Sequence, residues 1–542
     1  MSEMDRADKA TDPVRSLPVP DCEGKVEPMG EQAEDTFNFA CDVMEGWARR
    51  RPRDLALWCV DEAGAEWRYT FAELADQFRR ASHLFHQDGI RRGDRVLVML
   101  PRRPMWWIGM LGLIRLGAVP IPATALLTAK DIAYRVGAAG ITAMLTDGDG
   151  AKKAGSFKGR IFLEEEVGRD LRHVAPDFLP EPTRADEAGI LYFTSGTTGP
   201  PKMVLHTQAS YGLGHRVTGA EWLCSKPRDV HWNLADTGWA KAAWSSLYGP
   251  WHMGACIFSV DSRGRFDPAA ALQTLARYPV TTWCAPPTAL RLMVREDLAA
   301  YRFPHLRHCV SAGEPLNPEV IATWKAATGL TIYEGYGQTE TVVLIANLRE
   351  RGDAVRPGSM GKAVPGFEIA LLDEELRPVP DGEEGEIAVR TAPRRPLGLF
   401  REYWRNSEEN AARFRGDWYL TGDRAKRDAD GFFWFVGRAD DVIKSAGYRI
   451  GPFEVESALI EHPAVIEAAV VGKPDATRGQ IVKAFVVLRK DWVPGGELER
   501  ELQEHCKRVT APYKYPREIE FLTELPKTIS GKIRRVDLRE RA

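Results

Sequence analysis

Neither sign of charge dominates this sequence: 73 lysines and arginines stand against 76 aspartates and glutamates, a formal net charge of −3. That balance leaves no broad electrostatic footprint for nucleic acid or an acidic membrane surface. Eight cysteines occur, but they form no CxxC pair and no short-range cluster with histidine, which argues against a zinc site and a disulfide framework. A reducing, cytoplasmic setting is therefore expected. Residues 1–35 are rich in Asp, Glu and Pro and resemble neither a signal peptide nor an Arg/Ser-rich transit peptide. The longest apolar stretch, Ile108 to Pro122, is broken by Arg115 and too short to span a bilayer, so no integral membrane contact is expected.

With 44% hydrophobic residues over 542 positions, the chain can fill more than one core, because single cores stop growing near ~250–300 residues. Residues 1–35 lack a hydrophobic period and read as a polar tail. Thr70-x-x-Glu73 followed by Phe71, Leu74, Phe78, Ala81 and Phe85 predicts a capped amphipathic helix ending at Gly89. Arg95–Leu100 reads as a strand, Met105–Leu116 as a helix and Val119–Pro122 as a strand. This alternation predicts an α/β fold, a large layered domain over 36–439 with mostly parallel sheets. After about residue 437 the texture changes. Residues 440–542 are expected to form a small mobile α+β domain, with the polar Asp440-Asp441 junction as its hinge.

The most informative segment is ILYFTSGTTGPPKMV, Ile190 to Val204. An apolar strand feeds Thr194, Ser195, Gly196, Thr197, Thr198 and Gly199, and Lys202 follows two prolines. Glycines let backbone N–H groups converge on an anion, hydroxyls add donors and lysine adds charge, so this is phosphate-cradle chemistry. It is not a Walker A loop, whose lysine runs directly into a helix.

TSGTTGPPK resembles the phosphate-binding signature of the adenylate-forming superfamily, which holds acyl-CoA synthetases, peptide-synthetase adenylation domains and luciferases. Four further segments resemble its signatures in the right order: Tyr333–Glu340 (YEGYGQTE), Tyr419–Asp423 (YLTGD), Gly437–Glu456 and Pro526–Lys532 (PKTISGK). Together with Ala312-Gly313-Glu314-Pro315, which the resemblance places along the adenine, they cover about residues 40–540.

The resemblance implies two half-reactions. A carboxylate resists nucleophiles, so the acid is first joined to AMP with release of pyrophosphate, and a thiol then displaces AMP. Glu334, Gly335, Tyr336, Gly337, Gln338 and Thr339 are expected to bind ATP, with Thr339 and Glu340 at the reacting phosphate and Glu340 as the Mg²⁺ ligand. Asp423 suits a ribose diol, Arg438 the same ribose and a phosphate, and Arg449 the ATP phosphates or the substrate. Lys532 is expected to bridge the carboxylate and the α-phosphate in the transition state, and a lysine acetyltransferase is a candidate partner there. Rotation about Asp440 would then bring the loop Ala446, Gly447, Tyr448 to a pantetheine tunnel, with Arg478 and Arg517 on coenzyme A.

Ala235–Lys241 (ADTGWAK), Ser445–Pro452, Arg478–Leu488 and Ala511–Arg517 resemble the medium-chain acyl-CoA synthetase branch. Acetate-activating relatives carry tryptophan where this chain has Gly337. Its absence implies a deeper acyl pocket, bordered by Trp239, Gly335 and Gly337, for a medium-chain, branched or aryl acid. A loader of carrier-protein pantetheine is the nearest alternative; a dead nucleotide-binding scaffold and a kinase-like enzyme are others.

Overall fold

A computed structural model describes residues 35–194, 201–262, 264, 266–352, 354–446, 448–527 and 532–542. Thr70 caps helix Phe71–Gln87 by both arms of a capping box: its hydroxyl accepts from Glu73 N at 3.2 Å, and the Glu73 carboxylate accepts from Thr70 N at 2.8 Å. The apolar face of this helix packs on helix Pro104–Leu116, which is buried nearly all round. Arg115, the polar break in that helix, is tolerated because its guanidinium reaches Glu45 at 2.9 Å and the Phe178 carbonyl at 2.8 Å.

Strands Val119–Pro122, Arg95–Met99, Ala143–Thr146 and Arg160–Leu163 form an all-parallel sheet in that order. A larger, 14-stranded sheet is parallel from Leu55–Asp61 through Cys256–Asp261, Val230–Asn233, Thr282–Cys284 and His308–Ala312 to Ile332–Gly337. Beyond Gly337 it turns antiparallel, through Val343–Ala346, Ser359–Ala363, Phe433–Arg438, Trp418–Arg427, Glu384–Arg390 and Ile369–Leu372. The mostly parallel sheet expected from sequence thus describes only half of it. Only some of these antiparallel neighbours, such as Trp418–Arg427 and Phe433–Arg438, are joined by short turns; Glu384–Arg390 reaches Trp418–Arg427 across a stretch that holds helix Ser407–Arg413. A three-stranded sheet (Ala188–Thr194, Lys202–Thr207, Glu402–Tyr403) carries the glycine-rich segment between its first two strands.

The C-terminal unit has its own antiparallel hairpin, Val465–Asp475 with Gly479–Leu488, joined by Glu518–Leu522 in parallel and by Ile443–Ser445. Helices Pro452–Glu461 and Gly496–Val509 cover it with a separate core that includes Val455, Leu459, Val470, Val486, Leu502 and Cys506. Asn317 Nδ2 donates to Ser457 Oγ at 3.1 Å and Arg295 to the Ile466 carbonyl at 2.9 Å, which ties this unit to the larger one.

Candidate active site

The cavity opens at the carboxyl ends of the parallel strands, where α/β sheets place ligands. In register, Ala312 lies beside Gly335, so the strand ends His308–Ala312 and Ile332–Gly337 set Gly313, Glu314 and Pro315 against Glu334–Gly337. A cavity of about 1470 Å³ is lined by these residues and by Thr194, Lys202, Gln338, Thr339, Glu340, Asp423, Arg438 and Lys532. Residues from six separated segments therefore line one cavity. Ser195, Gly196, Thr197, Thr198 and Gly199 lie outside the described residues, as does Gly447.

Asp423 is buried and is the hub of the ribose-like corner. It accepts from Tyr336 Oη at 2.7 Å and Gln338 Nε2 at 2.6 Å, and it pairs across the strands with Arg438. Tyr419 Oη donates to Gln338 Oε1 at 3.0 Å, which fixes the amide's orientation. Arg438 Nε is buried with no hydrogen-bond partner among the described residues, a donor suited to a ligand. Glu334 Oε1 accepts from Leu316 N at 2.9 Å while Oε2 has no such partner. Burial pushes the Glu334 carboxyl up to about 8, so near neutrality it can present either a donor or an acceptor to a purine edge.

Thr339 is held from behind by a residue that sequence reasoning missed. His206, on the strand that follows the glycine-rich segment, is fully buried, and burial lowers its pKa to about 3. Its Nε2 lies 2.7 Å from the Thr339 carbonyl, which can only accept, so Nε2 carries the proton and Nδ1 accepts from Ser210 Oγ at 3.2 Å. Glu340 Oε1 accepts from Tyr403 Oη at 2.8 Å, and no lysine or arginine among the described residues stands within ion-pair distance. That uncompensated carboxylate fits a hard cation such as Mg²⁺. Lys202 pairs with Glu409 at 2.5 Å and lies 5.4 Å from the Tyr403 ring centroid.

The other end of the cavity is apolar, with Trp222, Leu234, Trp239 and Trp244 in its wall. A Cβ at Gly335 would lie 2.5 Å from the Trp222 indole, so glycine is what lets that ring seat against the strand. At Gly337 a Cβ would meet the Val342 carbonyl oxygen at 2.5 Å. The absent side chain there makes room for backbone first, which differs from the open-channel role expected from sequence. Trp222 and Trp244 lie outside any motif, and only the fold brings them to the site.

Lys532 lines the cavity, and the described residues on either side of it are tied down. Arg534 N donates to Pro526 O at 2.9 Å, and the Arg535 guanidinium grips both oxygens of Glu456 at 2.7 and 2.8 Å. Asp440 lies at the cavity edge between strand Phe433–Arg438 of the large sheet and Ile443–Ser445 of the small one. Arg449 is not brought to the cavity: exposed strand geometry pairs it with Glu374 at 3.4 Å. Ala446, Tyr448, Arg478 and Arg517 also lie away from it. Ala446 N donates to the Arg478 carbonyl at 2.9 Å, Tyr448 stacks on Tyr513 at 4.2 Å, and Arg517 bonds Tyr515 Oη at 2.9 Å. Of the described residues expected for the first half-reaction, all but Arg449 line the cavity, and the described residues expected for coenzyme A lie outside it.

An enzyme whose large and small units line one cavity between them is the class this arrangement defines. The chain belongs to the AMP-binding enzyme family, which matches residues 44–404, with the AMP-binding enzyme C-terminal domain matching 454–532. It is 46% identical over 527 residues to acyl-coenzyme A synthetase ACSM3, mitochondrial, of Mus musculus, covering 93% of this chain and 90% of that protein. A crystal structure of the anthranilate CoA ligase AuaEII with anthranoyl-AMP is 30% identical, with a TM-score of 0.87 over 94% of this chain and 98% of that one. A benzoate CoA ligase from Burkholderia xenovorans LB400, also 30% identical, has a TM-score of 0.82 over 93% of this chain and all of that one.

Proposed function

We infer that this chain is an AMP-forming acyl-CoA synthetase, which activates a carboxylic acid with ATP and passes the acyl group to coenzyme A. The observation that carries this reading is Lys532 from the small unit lining the same cavity as Thr339, Glu340, Asp423 and Arg438 of the large one. In the first step the acid's carboxylate attacks the α-phosphorus and pyrophosphate leaves. Lys532 offsets the charge that gathers on the phosphorane, Arg438 and Asp423 hold the ribose end, and Thr339 is fixed by His206. Mg²⁺ at Glu340, when bound, neutralises triphosphate charge. In the second step the thiol of coenzyme A adds to the carbonyl carbon, its proton is lost, and AMP departs.

The indole-lined end supports a medium-chain, branched or aryl acid, in keeping with relatives named as ACSM synthetases and as anthranilate and benzoate ligases. For the second step we propose that the unit from Asp440 onward rotates so that Ala446–Tyr448, Arg478 and Arg517 meet coenzyme A. Lys532 is exposed, and acetylation by a lysine acetyltransferase would silence adenylation by removing its charge. The free cysteines support a reducing, cytoplasmic setting. Assay of a panel of acids for AMP formation dependent on both ATP and coenzyme A tests the reading. Medium-chain or aryl acids should give acyl-CoA, AMP and pyrophosphate; release of ADP, or no dependence on coenzyme A, would refute it.

A further inference from the structure

Lys241 has no part in the steps above, yet it stands in the cavity wall. It follows Trp239, the N-cap of the short helix Ala240–Ala243, and it lines the cavity between the indoles of Trp239 and Trp244 and the Gly313–Glu314 turn. Its ammonium donates to the Ala312 carbonyl at 2.6 Å. Gly313, at φ +104°, packs so closely that a Cβ there would lie 2.6 Å from Nζ. An ammonium has three donors, and this one spends a single donor on protein among the described residues. No carboxylate among the described residues pairs with it, because Glu314 is engaged by Arg291 at 3.2 Å.

A half-buried cation with one carbonyl partner and no counter-ion is costly unless an anion arrives. Two anions enter this cavity, the polyphosphate and the acid's carboxylate. The phosphate end is already supplied with Lys202, Arg438 and Lys532, whereas Lys241 adjoins the indole wall, at the boundary an acid with its chain along the indoles must reach to bring its carboxylate to the phosphates. We propose that Lys241 binds the carboxylate of the acid substrate and thereby selects for acids that reach this point from the apolar side. This rests on the acyl-CoA synthetase reading above.

The groups that face it are consistent. Burial lowers the Lys241 pKa first, Cys284 and Glu314 act to raise it, and Lys532 lowers it further. Burial holds the Cys284 thiol near 11, so it is neutral at working pH. The lysine can therefore lose its proton at alkaline pH, and acid binding should weaken there.

The test uses the full-length enzyme with its best acid, comparing wild type, Lys241→Met and Lys241→Arg. Lys241→Met should raise KM for the acid at least tenfold while KM for ATP stays within twofold. Lys241→Arg should recover part of the loss. The alkaline fall in kcat/KM for the acid, present in the wild type, should be absent from Lys241→Met. A parallel rise in both KM values would show that Lys241 serves the phosphates or merely holds the Ala312–Glu314 turn, and would overturn the proposal. So would an unchanged KM for the acid in a variant with native melting behaviour. If the wild type activates no acid, the functional reading fails first, and this inference with it.

Discussion

Gly335 and Gly337 sit two residues apart on one strand, yet the obstacle each would meet is different. At Gly337 the first added carbon strikes the Val342 carbonyl, which is backbone and cannot swing aside. Gly337→Ala and Gly337→Trp should therefore depress turnover on every acid in proportion, measured as kcat/KM across a chain-length series. At Gly335 the obstacle is the Trp222 indole, so Gly335→Ala should push that ring into the pocket and penalise long acids selectively. Each methylene excluded forfeits about 0.8 kcal/mol, or roughly fourfold in specificity. A uniform loss with Gly335→Ala would show that the ring does not border the acyl chain. Sequence made both glycines legible as site residues, because they stand inside a recognisable motif. It hid Trp222, His206 and Lys241's lone carbonyl contact, because these arise where distant segments meet.

Two elements bear on how one cavity serves two reactions: the junction after strand Phe433–Arg438, and the loop before helix Arg535–Arg541. Lys532→Ala should abolish adenylate formation by about 10²-fold or more while sparing transfer from supplied acyl-adenylate; equal losses in both half-reactions would remove its special role. Asp440→Pro should show the reverse partition, since it locks φ where rotation is needed. The backbone N–H of Asp440 makes no hydrogen bond among the described residues, so the adenylation arrangement should survive the change. Impaired adenylation with normal thioester formation would contradict this. The elements themselves were largely readable from periodicity and caps: the helix predicted from Thr70 is Phe71–Gln87, and the strand predicted over Val119–Pro122 is found there. The antiparallel half of the large sheet was not readable, because strand order depends on partners chosen across the fold.

For the molecule as a whole, buried histidine sets the response to acid. Burial lowers His206 and His231 to about 3 and His252 and His308 to about 4, and it drives His215 down as well. In the unfolded chain these rings titrate near 6.5. Below that pH the unfolded state binds more protons, so stability must fall as pH drops from about 6.5 toward 4. Glu334 acts oppositely, since its folded pKa of about 8 exceeds the unfolded value, and its contribution is lost as pH rises through 8. Glu164 and Glu319 are raised by burial as well, yet the five buried histidines outnumber these carboxyls, so the net effect is a loss of stability toward pH 5. Melting temperature measured from pH 7.5 to 5 should therefore drop steeply, and a flat profile would show that these rings are already protonated in the fold.

The seam between the two units is held by contacts such as Asn317 with Ser457 and Arg295 with the Ile466 carbonyl, polar pairs that water can replace at little cost. A joint of that kind makes friction with the solvent part of the turnover time. Raising viscosity with glycerol should slow the overall cycle while leaving single-turnover adenylation untouched, and the ratio of the two rates would time the proposed swing of the small unit.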